Sequence, residues 1–161
     1  MVDATTLQKC SLFGGLLDEQ IEMIIPLMVR EEYFPGDTII VEGTLNDKIL
    51  FIIEGRVSII RGGKVIYDLA EGNTFGEMEV LDIMPSAATI RAVTNVVVMS
   101  MSNKSLREIY KNDIKSFSLL LMNLARDLSR RLRVANEIMI DGKIYELYSS
   151  ALFQEPADKL V

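Results

Sequence analysis

Between Val29 and Ser102 the chain is written almost entirely as short apolar runs cut by turn residues, a text that few architectures accept. Phe34-Pro35-Gly36-Asp37 is a turn signal, with proline setting one dihedral and glycine relaxing the next. Residues 38–41 then read as a strand ended by Glu42-Gly43. Residues 49–53 and 56–61 read as two strands hinged at Glu54-Gly55. Gly62-Gly63 closes a hairpin, because paired glycines supply the positive φ values of a tight two-residue turn. Its return strand, 64–69, places Val65, Tyr67 and Leu69 on one side. Residues 89–93 and 96–101 supply the last two strands. Many short strands with regular turn punctuation imply a sandwich, a jelly roll or a barrel.

Helical periodicity flanks this region. Ile21, Ile24, Ile25 and Met28 form one apolar face behind Asp18, a candidate N-cap, and Pro26 kinks or ends that helix. Asn103 is a second candidate cap, before Leu106, Ile109 and Tyr110. A longer helix is predicted from about Asp113 toward Met139. Phe117, Leu120, Leu121 and Leu124 are expected to cover the β-structure. Leu121, Ala125, Leu128, Leu132, Ala135 and Met139 alternate four and three residues apart, as in a coiled-coil seam. A homodimer through the later half of this helix is the expected use of that seam.

Composition removes several function classes. The chain of 161 residues is 49% hydrophobic, enough for one domain with a core, and its formal net charge is −6. An acidic balance disfavours generic binding to nucleic acid and to anionic membrane surfaces. No apolar run approaches the roughly 20 residues needed to span a bilayer. The opening residues lack the order of a secretory signal, and Cys10 has no second cysteine to pair with, so the cytoplasm is the expected compartment. Histidine is absent. A Ser–His–acid triad, a Cys–His pair and a His-ligated metal site are thereby excluded, while carboxylate or lysine chemistry stays open. The chain is expected to be non-enzymatic, with no metal and no resident cofactor.

Function is written most densely between Phe75 and Ala92, FGEMEVLDIMPSAATIRA. A glycine turn leads directly into an acid, Glu77. Pro85-Ser86-Ala87-Ala88-Thr89 then brings a second strand back with small residues that leave backbone N–H groups reachable. A carboxylate suits sugar hydroxyls, and free N–H groups at a short helix start suit an oxyanion. This stretch resembles the phosphate-binding cassette of the cyclic-nucleotide-binding domain family, roughly F-G-E, a short linker, then P-R-A-A-T-V. Phe34-Pro35-Gly36-Asp37, Glu42-Gly43, Phe51-Ile52-Ile53-Glu54-Gly55 and Gly72-Asn73-Thr74 match in order, and the similarity runs from about Leu12 to about Arg133.

The resemblance implies a mainly β fold, a β-roll of jelly-roll type with an N-terminal helix and a long C-terminal helix. It also implies cAMP or cGMP as ligand, held by Phe75, Gly76, Glu77, Met78, Ser86, Ala87 and Thr89. Glu77 would take the ribose hydroxyl, while Gly76, Met78, Ser86 and Ala87 would frame the phosphate. Two positions depart from the pattern. Ser86 stands where the family carries the arginine that pairs with the phosphate, and Glu79 stands where alanine or glycine is usual. Losing a charge-assisted hydrogen bond forfeits about 1.5–3 kcal/mol, and a carboxylate beside a phosphate acts in the same direction. Ser86 reads either as a hydroxyl donor or as a small residue after proline. Glu79 reads either as solvent-facing or as a negative wall.

Two functional readings follow. One is a regulatory domain that binds cAMP or cGMP weakly and signals to an unidentified protein partner through its C-terminal helix. The other is a degenerate copy of the fold used for dimerisation or protein interaction without nucleotide. Residues 1–133 would form the roll with its flanking helices, and 134–161 a helical extension or lid, with Tyr145 and Tyr148 as candidates to close the pocket. The tail after Arg133 is too short for a helix-turn-helix, so direct DNA binding is not expected.

Overall fold

The computed structural model describes residues 2–141. It divides into two compact units, Met1–Asn123 and Leu124–Val161, and the boundary falls inside the longest helix. The lid expected over the C-terminal tail, with Tyr145 and Tyr148, lies outside the described residues.

The first unit holds eight strands in two four-stranded antiparallel sheets. The strands are β1 (Val29–Tyr33), β2 (Thr38–Ile40), β3 (Lys48–Glu54), β4 (Arg56–Arg61), β5 (Lys64–Ala70), β6 (Thr74–Phe75), β7 (Thr89–Ala92) and β8 (Val96–Ser102). One sheet has the order β1-β8-β3-β6 and the other β2-β7-β4-β5. Leu50, Ile52, Val57, Ile59, Leu69, Phe75, Ile90 and Val98 join in one buried cluster fed by both sheets. The mainly β roll with flanking helices that the resemblance implies is the fold observed.

The predicted hairpin turn is built as expected, with Gly62 at φ 56° and Gly63 at φ 76°. Leu69 is buried, but Val65 and Tyr67 are exposed. A register shift between Ile59 and Ile60 interrupts the pairing of β4 with β5, so strict alternation does not run the length of the hairpin.

The flanking helices are α1 (Ala4–Gln8), α2 (Asp18–Ile24), α3 (Glu77–Asp82), α4 (Asn103–Asn112) and α5 (Ile114–Asp141). Strand β3 is buried on both faces because the N-terminal segment covers its outer side. Phe13 packs on Phe51 with ring centroids 5.4 Å apart. Ile21 and Ile24 of α2 are buried as predicted, and a 3-10 turn, Ile25–Leu27, follows where Pro26 stops the α-helix.

Both predicted caps shift by one residue. Leu17 occupies the cap of α2, its N–H bonded by the Gln20 side chain at 3.0 Å. Ser102, still extended at the end of β8, caps α4 by accepting from the Ser105 N–H. On α5, Leu120 is buried and Phe117 half-buried, whereas Leu121, expected to face the roll, is exposed. The polar neighbour Asn123 is buried instead. Its amide donates to the carbonyls of Leu12 at 2.9 Å and Gly14 at 2.8 Å, satisfying a turn that would otherwise bury bare acceptors.

In the second unit the described residues continue α5 to Asp141. Leu132, Val134 and Ile138 are exposed there. Among the described residues no helix is long and apolar enough to cross a membrane.

Candidate functional site

The cassette is a strand, a sharp corner, a short helix and a return. Strand β6 ends at Phe75, whose side chain belongs to the inter-sheet cluster rather than to an open surface. Gly76 makes the corner at φ 76°, and a Cβ there would lie 2.7 Å from both the Asn46 amide nitrogen and the Lys48 carbonyl. No other residue type fits without displacing backbone. Asn46 Nδ2 bonds to the carbonyls of Lys48 at 2.7 Å and Gly76 at 3.0 Å, clamping the corner to the start of β3. Sequence reading missed Asn46. Its residue type marked a turn, but its partner lies 30 positions away.

Glu77 opens α3 and is 3% exposed, so the acid predicted to hold a ligand is not a solvated surface group. Met78 is exposed and Thr89 half-buried. The Thr89 hydroxyl accepts from the Glu42 N–H at 3.0 Å, and Glu42 accepts in turn from the Gly62 N–H. The corners of the second sheet are thereby linked to the cassette's return strand.

Ser86 is buried and held by its own backbone. Its N–H donates to the Thr44 carbonyl and its carbonyl accepts from the Gly43 N–H, each at 2.8 Å. Its hydroxyl lies 2.7 Å from Glu79 Oε1 and 2.9 Å from the Ala88 carbonyl, two acceptors for a single proton. Glu79 is half-buried, and its second oxygen, Oε2, is shielded from solvent with no hydrogen-bond partner among the described residues. The two sequence alternatives for Ser86 and Glu79 therefore resolve into one pair. Ala87 is exposed, and its N–H donates to no protein acceptor among the described residues.

Four cations on the strands of the roll, Lys48, Arg56, Arg61 and Arg91, are paired elsewhere or exposed. Lys48 pairs with Glu31 at 3.1 Å and Arg56 with Asp68 at 3.6 Å. Arg91 is exposed between buried Ile90 and Ala92, and Arg61 is exposed at the hairpin end of β4. The Glu31 carboxyl is raised by burial, yet hydrogen bonds from Ser100, Tyr33 and Lys48 outweigh this and hold it below its ordinary value. Burial and the bond to Glu31 push the Tyr33 hydroxyl up to about 12.

Beside the cassette lies a cavity of about 760 Å³, lined by Glu79, Leu81, Ile83 and Met84 and by Leu106 and Tyr110 of α4. Neither Glu77 nor Ser86 lines it. Ile83, the residue after α3, is 83% exposed and sits at φ 58°, a left-handed conformation that β-branched residues rarely adopt. The cassette thus ends in a strained, apolar linker.

Comparison with known proteins agrees with this geometry. The model of the cyclic nucleotide-binding domain matches residues 30–113. The cyclic AMP receptor protein of Thermus thermophilus is 32% identical over 130 residues, covering 78% of this chain and 58% of that protein. The chain spans no more than 17% of the cGMP-dependent protein kinases it also matches. A solved cyclic nucleotide-binding domain from Methylobacillus flagellatus superposes with a TM-score of 0.78 at 24% identity, over 86% of this chain and 80% of that one. The regulatory subunit of a cAMP-independent protein kinase A from Trypanosoma cruzi, bound to guanosine, matches with a TM-score of 0.58 at 25% identity, over 68% of this chain and 38% of that one. With the domain model covering more than half of its length and the roll, corner and cassette in place, this chain belongs to the cyclic nucleotide-binding domain family.

Proposed function

We propose that this chain is a non-enzymatic regulatory domain that senses a ribose-bearing ligand at its cassette and passes the signal through α5. The carrying observation is the burial of Glu77 immediately after the Gly76 corner. A carboxylate withdrawn from water at that point is suited to accept from ribose hydroxyls. Among ligands of this class, cAMP and cGMP are weak ones, because Ser86 supplies no charge for the phosphate. The loss is about 10- to 100-fold relative to an arginine-bearing cassette. That the similar Trypanosoma cruzi subunit is bound to guanosine supports a ligand without a cyclic phosphate.

The route outward begins at the apolar linker. Leu81, Ile83 and Met84 share a cavity with Leu106 and Tyr110 of α4 and with Phe117 and Leu121 near the start of α5. A ligand that shifts α3 changes the filling of this cavity, and α5 responds by a change of population between two positions. Calorimetry of the full chain with cAMP and cGMP tests the reading, together with hydrogen exchange along α5. Weak heats with altered α5 protection are expected, both removed by Glu77→Ala. No change in exchange with any cyclic nucleotide or nucleoside would end it.

A second reading, assembly without a ligand, is favoured by the seam of Leu128, Leu132, Ala135 and Met139 on the later half of α5, of which Leu132 is exposed and the others half-buried. Pairing of two copies through this stripe would cover it. Sedimentation at high protein concentration distinguishes a homodimer from a monomer.

A further inference from the structure

From the Ser86–Glu79 pair we infer that the preferred ligand of the cassette is an uncharged ribonucleoside, with Glu79 accepting a hydrogen bond from the free 3′- or 5′-hydroxyl. The inference rests on the reading above that Glu77 grips the ribose. It adds what the opposite end of the sugar meets.

A cyclic nucleotide has its phosphate bridging O3′ and O5′. Both oxygens have lost their protons, and the phosphate brings a negative charge and only acceptors. In this protein that end would meet a carboxylate, which is also an acceptor only. The Ser86 proton is the local hydroxyl donor, and it already lies between Glu79 Oε1 and the Ala88 carbonyl. To use it, a phosphate would have to break the Glu79 bond and then remain beside the Glu79 charge. Neither step is favourable.

A nucleoside presents the reverse pattern. Its 3′- and 5′-hydroxyls are both free to donate, and it carries no charge. Glu79 has the matching capacity, because Oε2 is shielded from solvent and accepts from no group among the described residues. A buried acceptor left unsatisfied is costly, and a ligand hydroxyl removes that cost. The Ser86 bond meanwhile holds the carboxylate in place from its other oxygen, at a residue whose own backbone is pinned to Gly43 and Thr44. The substitution of serine for arginine thus leaves an unsatisfied carboxylate oxygen, which the ligand must uncover, where the family holds an anion.

The test is calorimetric titration of the full chain with adenosine, guanosine and inosine against cAMP and cGMP, folding being checked by thermal melting. At least one nucleoside is expected to bind tighter than its own cyclic nucleotide by at least about tenfold, the worth of one hydrogen bond to a charged group. Removing the 3′- or the 5′-hydroxyl of that nucleoside should cost about the same factor. The isosteric Glu79→Gln should erase the preference, and Glu79→Ala with Ser86→Arg should reverse it. Tighter binding of cAMP than adenosine, and of cGMP than guanosine, by the native chain would overturn this inference while leaving the sensor reading intact. Nucleoside affinity unchanged in a folded Glu79→Gln variant would overturn it as well. If no nucleoside and no cyclic nucleotide binds the folded native chain, both readings fall together.

Discussion

Ser86 Oγ donates to Glu79 Oε1 across 2.7 Å, so the two positions at which this cassette departs from the family pattern are partners of each other. Together they close a hydrogen bond on the site an anion would use. The pair therefore explains why a serine and an acid occur together here, and it sets the order in which substitutions should act.

Ser86→Arg alone is expected to give little cyclic-nucleotide binding, since the new guanidinium would pair with Glu79. Adding Glu79→Ala should release it and strengthen cAMP binding by about 10- to 100-fold over the native chain. Titration of the single and double variants side by side measures the coupling between the two positions. Equal affinities in the two variants would contradict the pairing.

Gly76→Ala should destabilise the domain by about 2–4 kcal/mol, combining left-handed strain with overpacking. The added Cβ meets Asn46 and the Lys48 carbonyl at 2.7 Å while the backbone stays at φ 76°. Urea unfolding monitored by far-UV circular dichroism gives the value, and a loss under 1 kcal/mol (roughly one ordinary surface substitution) would mean the corner can relax.

Asn46→Ala removes the clamp between the corner and β3. A stability loss of about 1–2 kcal/mol is expected, together with weaker ligand binding, because the start of α3 is no longer held. Asn46→Asp should not rescue it, since a carboxylate cannot donate to the two carbonyls.

Asn123→Leu tests the seat of α5 in the first unit. The substitution keeps the branched outline but strands the carbonyls of Leu12 and Gly14. A loss of about 1–3 kcal/mol is expected in urea unfolding.

Acid stability should depend on Asp113, at the head of α5. Hydrogen bonds from the Ser116 hydroxyl and the Gln20 amide, outweighing burial, hold its carboxyl at about 2, against an ordinary 3.8. Between those values the unfolded chain binds more protons than the folded one. The contribution is therefore complete above 3.8 and is lost as the pH falls toward about 2. Asp113→Asn should flatten this part of the stability profile, as read from unfolding midpoints across the acid range.

Much of the architecture was legible along the chain. The glycine pair at 62–63 and the run Phe34 to Asp37 mark turns by local dihedral demands alone, and the strands between them followed within a residue or two. Glu77 was legible as a candidate because the motif around it is contiguous, and its burial followed. Less legible were the caps of α2 and α4, each one residue before the polar residue that marks it, at Leu17 and Ser102, where the backbone is still extended. The inward face of α5 was also misread in part: Leu121 and Asn123 exchanged roles because the acceptors that draw Asn123 inward lie more than 100 positions away.

By itself, the sequence determined the β-roll, the glycine corner, the acid that follows it and the absence of an arginine from the cassette, all of them properties of residue type and local order. Only the tertiary structure decided what the absence means. It set Ser86 against Glu79 and Asn46 against Gly76, contacts made through space between residues 7 and 30 positions apart. The physical reason is that a hydrogen bond depends on where donor and acceptor come to rest, and that is fixed by the packing of two sheets and a short helix rather than by any pattern along the chain.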